Sequence, residues 1–252
     1  MVAQRQQVLV FFLDDFPAQR QAGSQTLAVQ VREVLACAGG AGAQESLEPV
    51  SVCHLNALHL HDEARAALSP DELVRMSRLM KPAGRQTFAF AHSILRLLLG
   101  EKLGCAPADL VFHRDALGKP RLGLGSGHVE FNLSYRDGAI AIALSDAVVG
   151  VDIEEIGAAG DTQGIAQRFF SVQENRRLAK QAAENAENYF YQIWTRKEAL
   201  LKAAGTGLAG ISAIDVCHPL ASARDANSVE HNYRLFSRPA GARHFLSWAV
   251  RV

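Results

Sequence analysis

Two acidic residues end an apolar stretch of the sequence in a pattern typical of a metal site. The stretch VVGVDIE, residues 148–154, predicts a β-strand that places Asp152 and Glu154 on the same face, some ~6–7 Å apart at the backbone. Two carboxylates at close range repel each other, so a sheltered pair needs a cation between them. Oxygen ligands favour Mg²⁺ or Mn²⁺. Acids that alternate with valine and isoleucine are also common on the wet face of an antiparallel strand, and both interpretations remain open at this point.

A second group of reactive side chains lies in WTRKEALLK, residues 194–202. On a helix, Trp194, Glu198 and Lys202 recur every four residues, so an aromatic, an acid and a base share one stripe. The alternative is structural, because a Glu–Lys pair at this spacing is the commonest stabilising pair on a helix surface. Trp194 would then be a core residue.

Polar and basic residues elsewhere could bind an anion. Asn132 and Ser134 in FNLS could donate to a phosphate or fix a turn, and GKP at 118–120 is typical of a turn before a strand. The following basic residues indicate an anion site only if they converge: Arg75, Arg78, Lys81, Arg85, Arg96, Arg114 and Lys119.

The elements that must position these residues follow from hydrophobic period and turn signals. They predict strands over residues 8–13 and 49–55, and helices over 24–37, 70–80 and 84–103. Four further strands are predicted within 110–154. Helices follow over roughly 162–204, and strands near 211–217, 232–236 and 244–250. Residues 221–228 are interpreted as a loop. The chain is therefore α+β.

The sequence shows an internal similarity. A shift of 102 residues lays LSPDELVRM on FSVQENRRL, and FAFAHSILRLLLG on FYQIWTRKEALLK. The match favours two copies of one α+β unit about a pseudo-twofold axis, with a site between them. The alternative is that two amphipathic helix pairs align by chance.

Composition excludes several classes of protein. The 252 residues contain 26 basic and 26 acidic residues, which indicates neither a nucleic acid nor a membrane surface as partner. No stretch approaches the ~20 apolar residues of a membrane helix, and we expect a cytoplasmic protein. The four cysteines lack metal-ligand spacing, which favours free thiols.

Taken together, these segments resemble the surfactin-synthetase-activating type of 4'-phosphopantetheinyl transferase. The resemblance runs from about 69 to 213, through SPDELVR, GKP, FNLSY, GVDIE, FFSVQE and YFYQIWTRKEALLKAAGTGL. It implies two similar α+β halves packed about a pseudo-twofold axis, with coenzyme A in the cleft between them. Residues 1–145 would form the half on the adenine and 3'-phosphate side, and residues 146–252 the metal-binding and catalytic half.

The resemblance also implies roles for individual residues. The metal ligands for Mg²⁺, or Mn²⁺, would be Asp152, Glu154 and Glu198. Glu198 would also be the general base, with Glu174 or a water held by Glu198 as alternatives. Coenzyme A would contact the following residues: Arg75, His92, Arg114, Lys119, Pro120, Asn132, Ser134, Tyr135, Lys197 and Lys202. Of these, Arg75 would meet the 3'-phosphate, while Lys197 and Lys202 would steady phosphate oxygens, Lys202 as part of the catalytic set.

The activity implied is transfer of 4'-phosphopantetheine from coenzyme A to a serine of an apo acyl or peptidyl carrier protein by a monomer. Two positions depart from the family pattern. Tyr135 stands where the family usually has histidine, and His92 where relatives often have arginine. They motivate the alternative of a weakened member that binds coenzyme A or a carrier protein without efficient transfer.

Overall fold

The computed structural model describes residues 6–14, 26–38, 50–123, 129–208 and 210–252. The predicted helix start at Ser24 and its end at Gly39 and Gly40 lie outside the described residues. The α+β class is confirmed. The elements are, in chain order, β1 (Gln6–Asp14), α1 (Leu27–Ala38), β2 (Val50–Asn56), α2 (Ala57–Ala66), α3 (Pro70–Ser77), α4 (Pro82–Leu103), β3 (Phe112–Arg114), β4 (Pro120–Leu122), β5 (Glu130–Arg136), β6 (Ala139–Ser145), β7 (Val149–Glu155), α5 (Thr162–Phe169), α6 (Val172–Leu178), α7 (Ala183–Ala204), β8 (Leu220–Arg224), β9 (Glu230–Ala240) and β10 (His244–Arg251).

Most of the strands form two four-stranded sheets, and β3 pairs with β4 in a separate ribbon. The first sheet has the order β2-β1-β6-β5, and the second has the order β7-β10-β9-β8. Only β1 and β2 pair in parallel among the described strands. The first sheet takes its strands from the chain up to Ser145, and the second from Val149 onwards. No helix of the described residues is long and apolar enough to cross a membrane.

The two sheets pack face to face between two long helices. Along β1, Leu9 and Phe11 point into a core shared with α4, whereas Val8 and Val10 point into a core between the sheets. The core between the sheets also takes Trp248 from β10 and is otherwise mostly alanine and branched aliphatic residues. Helix α7 covers the outer face of the second sheet. The layers therefore run α4, first sheet, second sheet, α7.

The short helices α3 and α6 begin in the same way. Ser69 caps α3 and Ser171 caps α6. Each serine accepts the backbone N–H of the third helical residue, Glu72 or Glu174, whose carboxylate accepts the backbone N–H of the serine. The two capping boxes lie 102 residues apart, as the internal similarity predicts.

The long helices α4 and α7 also correspond, but equivalent residues lie 101 positions apart in the sequence instead of 102. Both have 22 residues, and both end at a left-handed glycine, Gly104 or Gly205. These glycines lie 101 residues apart, so the gapless shift of 102 is wrong for this pair of helices. Phe88 of α4 thus corresponds to Tyr189 of α7, not to Phe190.

Gly150 allows α7 to pack directly against β7. A Cβ atom at this position would overlap the Ala199 carbonyl oxygen and the Ala203 amide nitrogen of α7. Because side chains alternate along a strand, Asp152 and Glu154 share the face of Gly150 and also point to the α7 side. The missing side chain at position 150 therefore sets how near α7 comes to the two acids.

The prediction of a strand at 211–217 is wrong, and the predicted loop at 221–228 is wrong for residues 221–224 but is confirmed for residues 225–228. The backbone of 211–217 bonds to side chains instead: Lys197 donates to the carbonyls of Ile211 and Ile214, and Glu174 accepts the Val216 N–H. Strand β8 occupies Leu220–Arg224, where buried residues alternate with exposed ones. Helix α2 (Ala57–Ala66) was also not predicted.

We expect Gly150→Ala to destabilise the protein by roughly 3 kcal/mol or more, because the added methyl group overpacks the contact between β7 and α7. The measurement is the urea midpoint of unfolding. Gly84→Ala is the matched control, since a Cβ atom there would lie 3.9 Å from its nearest neighbour, Lys81 Cβ. Alanine should be neutral or slightly stabilising at this helical position. Equal midpoints for the two variants would contradict the close contact at Gly150.

Candidate functional site

Asp152 is the centre of a polar cluster where the two halves meet. It lies on β7 and is 2% exposed. Its Oδ1 accepts hydrogen bonds from Ser134 Oγ of β5 at 3.0 Å and from Lys202 Nζ of α7 at 2.5 Å. Lys202 also donates to Ser134 Oγ at 3.0 Å. Asp152 Oδ2 is buried and has no hydrogen-bond partner among the described residues, so one strong acceptor remains free for a ligand.

Glu154 lies two residues further along β7 and contacts a base from the first half. Arg136 Nη1 of β5 is 3.3 Å from Glu154 Oε2, and Arg136 Nε is 3.7 Å from Asp137 Oδ2. Burial, and then the charge of Asp152, raises the pKa of Glu154 to about 7. Arg136 was not predicted as a site residue. Its position two residues after Ser134 on the same strand face was the signal that could have indicated it.

Glu198 and Lys202 of α7 complete the cluster. Burial, and then the charge of Asp152, raises the pKa of Glu198. Burial alone would lower the pKa of Lys202, but the carboxylates of Asp152, Glu198 and Glu154 raise it overall. Acidic side chains thus crowd together here, with Lys202 as a shared counter-charge.

A cavity of about 290 Å³ opens beside this cluster. Glu198 and Lys202 line it from α7, and Gly118, Lys119 and Pro120 line it from the opposite side. Lys119 is 8% exposed, and its Nζ donates to the carbonyls of Val149 at 3.3 Å and Ala203 at 3.0 Å. Burial lowers the pKa of Lys119 to about 8. Its side chain thus fastens the GKP turn to β7 and to the end of α7.

Two of the predicted coenzyme A contacts, Arg75 and Arg114, form a basic surface beside Tyr135 and next to the cluster. Arg75 Cζ lies 5.2 Å from the Phe88 ring centroid, and the pKa of Arg75 is lowered first by burial and then by the charge of Arg114. Neither arginine forms an ion pair with an acid in the part of the chain that is described. Burial raises the pKa of Tyr135, against the opposing charges of Arg75, Arg114 and Lys202. Unpaired guanidinium groups at one place are typical of an anion site.

His92 lies below this surface and does not supply a cation to it. Its Nδ1 is 3.2 Å from Glu72 Oε1, and its ring stacks on Phe88 with centroids 4.1 Å apart. Burial lowers the pKa of His92 despite the neighbouring Glu72 carboxylate. Glu72 is also held by Arg96 Nε at 2.8 Å. These contacts give His92 a structural role beneath Tyr135, and its contact with coenzyme A remains a prediction.

Glu174 and Lys197 are likewise bonded to each other in the interior. Lys197 Nζ is 2.8 Å from Glu174 Oε2 and also donates to the carbonyls of Ile211 and Ile214, so all three of its protons are used. Both side chains are 0% exposed. A phosphate contact by Lys197 or base catalysis by Glu174 would require this pair to break. Both roles remain predictions, which the complete burial of the pair disfavours.

Asn132 also has a structural contact. Its Oδ1 accepts the Val151 N–H at 2.8 Å, which joins β5 of the first sheet to β7 of the second. This bond holds Ser134 opposite Asp152. The predicted contacts of Asn132, Ser134 and Pro120 with coenzyme A remain predictions.

The cluster offers the ligand chemistry of a Mg²⁺ site. Asp152, Glu154 and Glu198 carry hard oxygen atoms of the kind that Mg²⁺ prefers, and the buried Asp152 Oδ2 has no partner among the residues that the structure describes. In the described ranges no three His, Cys, Asp or Glu side chains converge closely enough to hold a metal ion. The residues fit the ion in type and charge, and Asp152 and Glu154 are each held by a base.

Comparison with known proteins confirms the resemblance predicted from the sequence. Residues 148–249 match the family model of the 4'-phosphopantetheinyl transferase superfamily. The chain is 35% identical over 154 residues to the 4'-phosphopantetheinyl transferase HetI of Nostoc sp., which covers 60% of this chain and 65% of HetI. It is 34% identical over 157 residues to the 4'-phosphopantetheinyl transferase psf-1 of Bacillus pumilus, covering 58% and 66% of the two chains.

A third relative is the 4'-phosphopantetheinyl transferase of Bacillus subtilis, 30% identical over 148 residues that cover 58% of this chain and 64% of the relative. The chain thus matches slightly less than two thirds of the length of each of these relatives.

The buried pair of Glu174 and Lys197 predicts a stability defect rather than a binding defect. Lys197→Met should destabilise the protein by about 3 to 5 kcal/mol, because it leaves a buried carboxylate without its counter-charge. Adding Glu174→Gln should recover part of that loss. The measurements are urea unfolding and coenzyme A titration, with the exposed Lys180→Met as control. Weaker coenzyme A binding at unchanged stability would instead assign Lys197 to a phosphate.

Glu72 predicts a specific pH dependence of stability. Burial alone would raise its pKa, but hydrogen bonds from His92, the Ser69 N–H and Arg96 lower it to about 2. The resulting stabilisation is present above the unfolded pKa and is lost as the pH falls from about 5 towards 2. The free energy of unfolding of the wild type should exceed that of Glu72→Gln by roughly 3 kcal/mol near neutral pH. This difference should disappear as the pH is lowered. The measurement is urea unfolding of both proteins across this pH range. A stability difference that does not change with pH would contradict the prediction.

Proposed function

We propose that this chain, a relative of the 4'-phosphopantetheinyl transferases, transfers the 4'-phosphopantetheine group of coenzyme A to a serine of an apo acyl or peptidyl carrier protein. Adenosine 3',5'-bisphosphate would be the second product. The observation that carries the proposal is the buried carboxylate of Asp152, whose Oδ1 is bonded to Lys202 and Ser134 and whose Oδ2 has no partner among the described residues, next to a cavity that Lys202 lines.

Coenzyme A carries three phosphates, and the basic surface beside the cluster suits them. Arg75 and Arg114 present guanidinium groups without acidic partners in the described structure, and Arg75 is supported by the face of Phe88. We assign the 3'-phosphate to Arg75, as the resemblance implies. Lys202 lies between this surface and the carboxylates, so its ammonium group suits the pyrophosphate.

Asp152, Glu154 and Glu198 would hold Mg²⁺ or Mn²⁺. When bound, the ion would neutralise the charge that develops on the pyrophosphate as the leaving group departs. The protein contributes the burial of Asp152 and the orientation of its carboxylate by Ser134. These contacts restrict the free oxygen Asp152 Oδ2 to one direction.

Glu198 is the residue that we assign as general base. It lines the cavity, and its raised pKa makes its carboxylate a better proton acceptor than an exposed one. The carrier serine Oγ forms a bond to the β-phosphorus while the bond from that phosphorus to the bridging oxygen breaks. The serine proton moves to Glu198, and the bridging oxygen leaves with adenosine 3',5'-bisphosphate. Lys202 stabilises the negative charge on the phosphoryl oxygens.

A second candidate function is binding of coenzyme A or a carrier protein without efficient transfer. It is favoured by Tyr135, whose phenol supplies no positive charge, and by His92, which is bonded to Glu72. The retained group of Asp152, Glu154, Glu198 and Lys202 favours the transferase, because binding alone does not require a buried acidic cluster.

The experiment is mass spectrometry of a panel of apo carrier proteins incubated with coenzyme A and Mg²⁺. We expect one carrier to gain the mass of phosphopantetheine, and Asp152→Asn to lower the rate by roughly 100- to 1,000-fold, because stabilisation of the transition-state charge is lost. Asp146→Asn, an exposed substitution one strand connection away, is the control. Melting curves must show that both variants are folded. Tight coenzyme A binding without modification of any carrier would support the second candidate.

A further inference from the structure

Asp152 and Glu154, the two acids of the GVDIE stretch, each form an ion pair with a basic side chain. Lys202 Nζ of α7 lies 2.5 Å from Asp152 Oδ1, and Arg136 Nη1 of β5 lies 3.3 Å from Glu154 Oε2. The two bases come from opposite halves of the chain and reach neighbouring residues on the same face of β7. Each acid therefore has its own cation, and the two cations differ in origin.

The need for these cations follows from the crowding of the carboxylates. Asp152 is 2% exposed, and the side chain of Glu154 is 17% exposed. Charges of the same sign repel strongly where water is excluded, so the folded protein must neutralise them locally. Lys202 and Arg136 do so in the same region where a divalent cation would bind. A divalent cation and these basic side chains are all positively charged, so they compete for the same pair of carboxylates.

Both basic side chains also have other polar groups within reach. Arg136 Nε is already 3.7 Å from Asp137 Oδ2 at the exposed turn after β5, and the Arg136 side chain is 46% exposed. Lys202 donates to Ser134 Oγ and lines the cavity beside Glu198. Neither base would lose all its partners on leaving its carboxylate.

We propose that Lys202 and Arg136 are exchangeable counter-ions, which hold Asp152 and Glu154 in the metal-free protein and leave them when a divalent cation binds. The inference rests on the proposed function, whose metal site it deepens. It makes Arg136 a positioning residue of that site. The displaced ammonium and guanidinium groups become available to the pyrophosphate, so metal and coenzyme A each strengthen the binding of the other. The inference also accounts for the lack of three converging metal ligands among the described residues, because each of the two carboxylates is drawn to its own base.

The test is a titration of Mn²⁺ alone into the 252-residue chain after removal of metals with EDTA, followed by calorimetry or electron paramagnetic resonance. Arg136→Met and Lys202→Met should each bind Mn²⁺ about tenfold more tightly than wild type, because the competing cation is gone. Arg243→Met is the matched control. Arg243 pairs with Glu155 at 3.3 Å next to the site, and its side chain is 75% exposed. Its Mn²⁺ affinity should equal that of wild type.

A second titration includes coenzyme A. Wild type should bind Mn²⁺ more tightly with coenzyme A than without it, and this gain should shrink in Arg136→Met and Lys202→Met. If Lys202→Met does not fold without metal, Arg136→Met carries the test, since its side chain is partly exposed. Thermal melts give an independent reading, because Mn²⁺ should stabilise both variants more than it stabilises wild type.

The outcomes separate the inference from the proposed function. Unchanged or weaker Mn²⁺ binding in both variants, with wild-type binding abolished by Asp152→Asn, would overturn the exchange of counter-ions and leave the metal site standing. Wild-type binding that is absent, or is unaffected by Asp152→Asn, would overturn the proposed metal site and this inference with it.

Discussion

The contact between Gly150 of β7 and the backbone of α7 determines the arrangement of the candidate site. Ala199 and Ala203, which meet Gly150, directly follow Glu198 and Lys202 in the chain. The depth at which α7 packs therefore sets the distance of both functional side chains from Asp152. Lys119 strengthens the same contact, since it donates to the Ala203 carbonyl at the end of α7. Gly150, which has no side chain, thus positions the acid and the base to which we assign the chemistry.

The sequence allowed most of the fold and the centre of the site to be predicted, since both rest on local patterns. Alternation on β7 correctly placed Asp152 and Glu154 on one face, and the capping boxes of α3 and α6 were visible as serine and glutamate at a spacing of three. The segment 211–217 could not be predicted, because its backbone partners are side chains distant in sequence. Strand β8 was missed since small residues, Ala221 and Ala223, form its buried face and resemble a loop in composition.

Several charged residues of the recognisable segments have buried structural partners that the resemblance did not indicate. Glu72 with Arg96 in the first half corresponds to Glu174 with Lys197 in the second half, and each pair joins the start of a short helix to the following long helix. The first half adds His92 to this arrangement. A charged residue in a recognisable segment can therefore hold two helices together, and its type and spacing alone do not distinguish that task from contact with a phosphate. The burial of the side chain, and whether its N–H protons are already donated to other partners, distinguish the two tasks.

The core between the two sheets has a consequence for how the chain folds. Val8, Val10 and Ala141 of one sheet meet Val151 and Trp248 of the other, and these residues are almost completely buried. Either half alone would expose a continuous apolar face to water, where such a face favours association with other chains. The halves are therefore not autonomous folding units despite their similarity. The chain resembles an obligate dimer joined covalently, in which neither subunit has a stable folded state of its own.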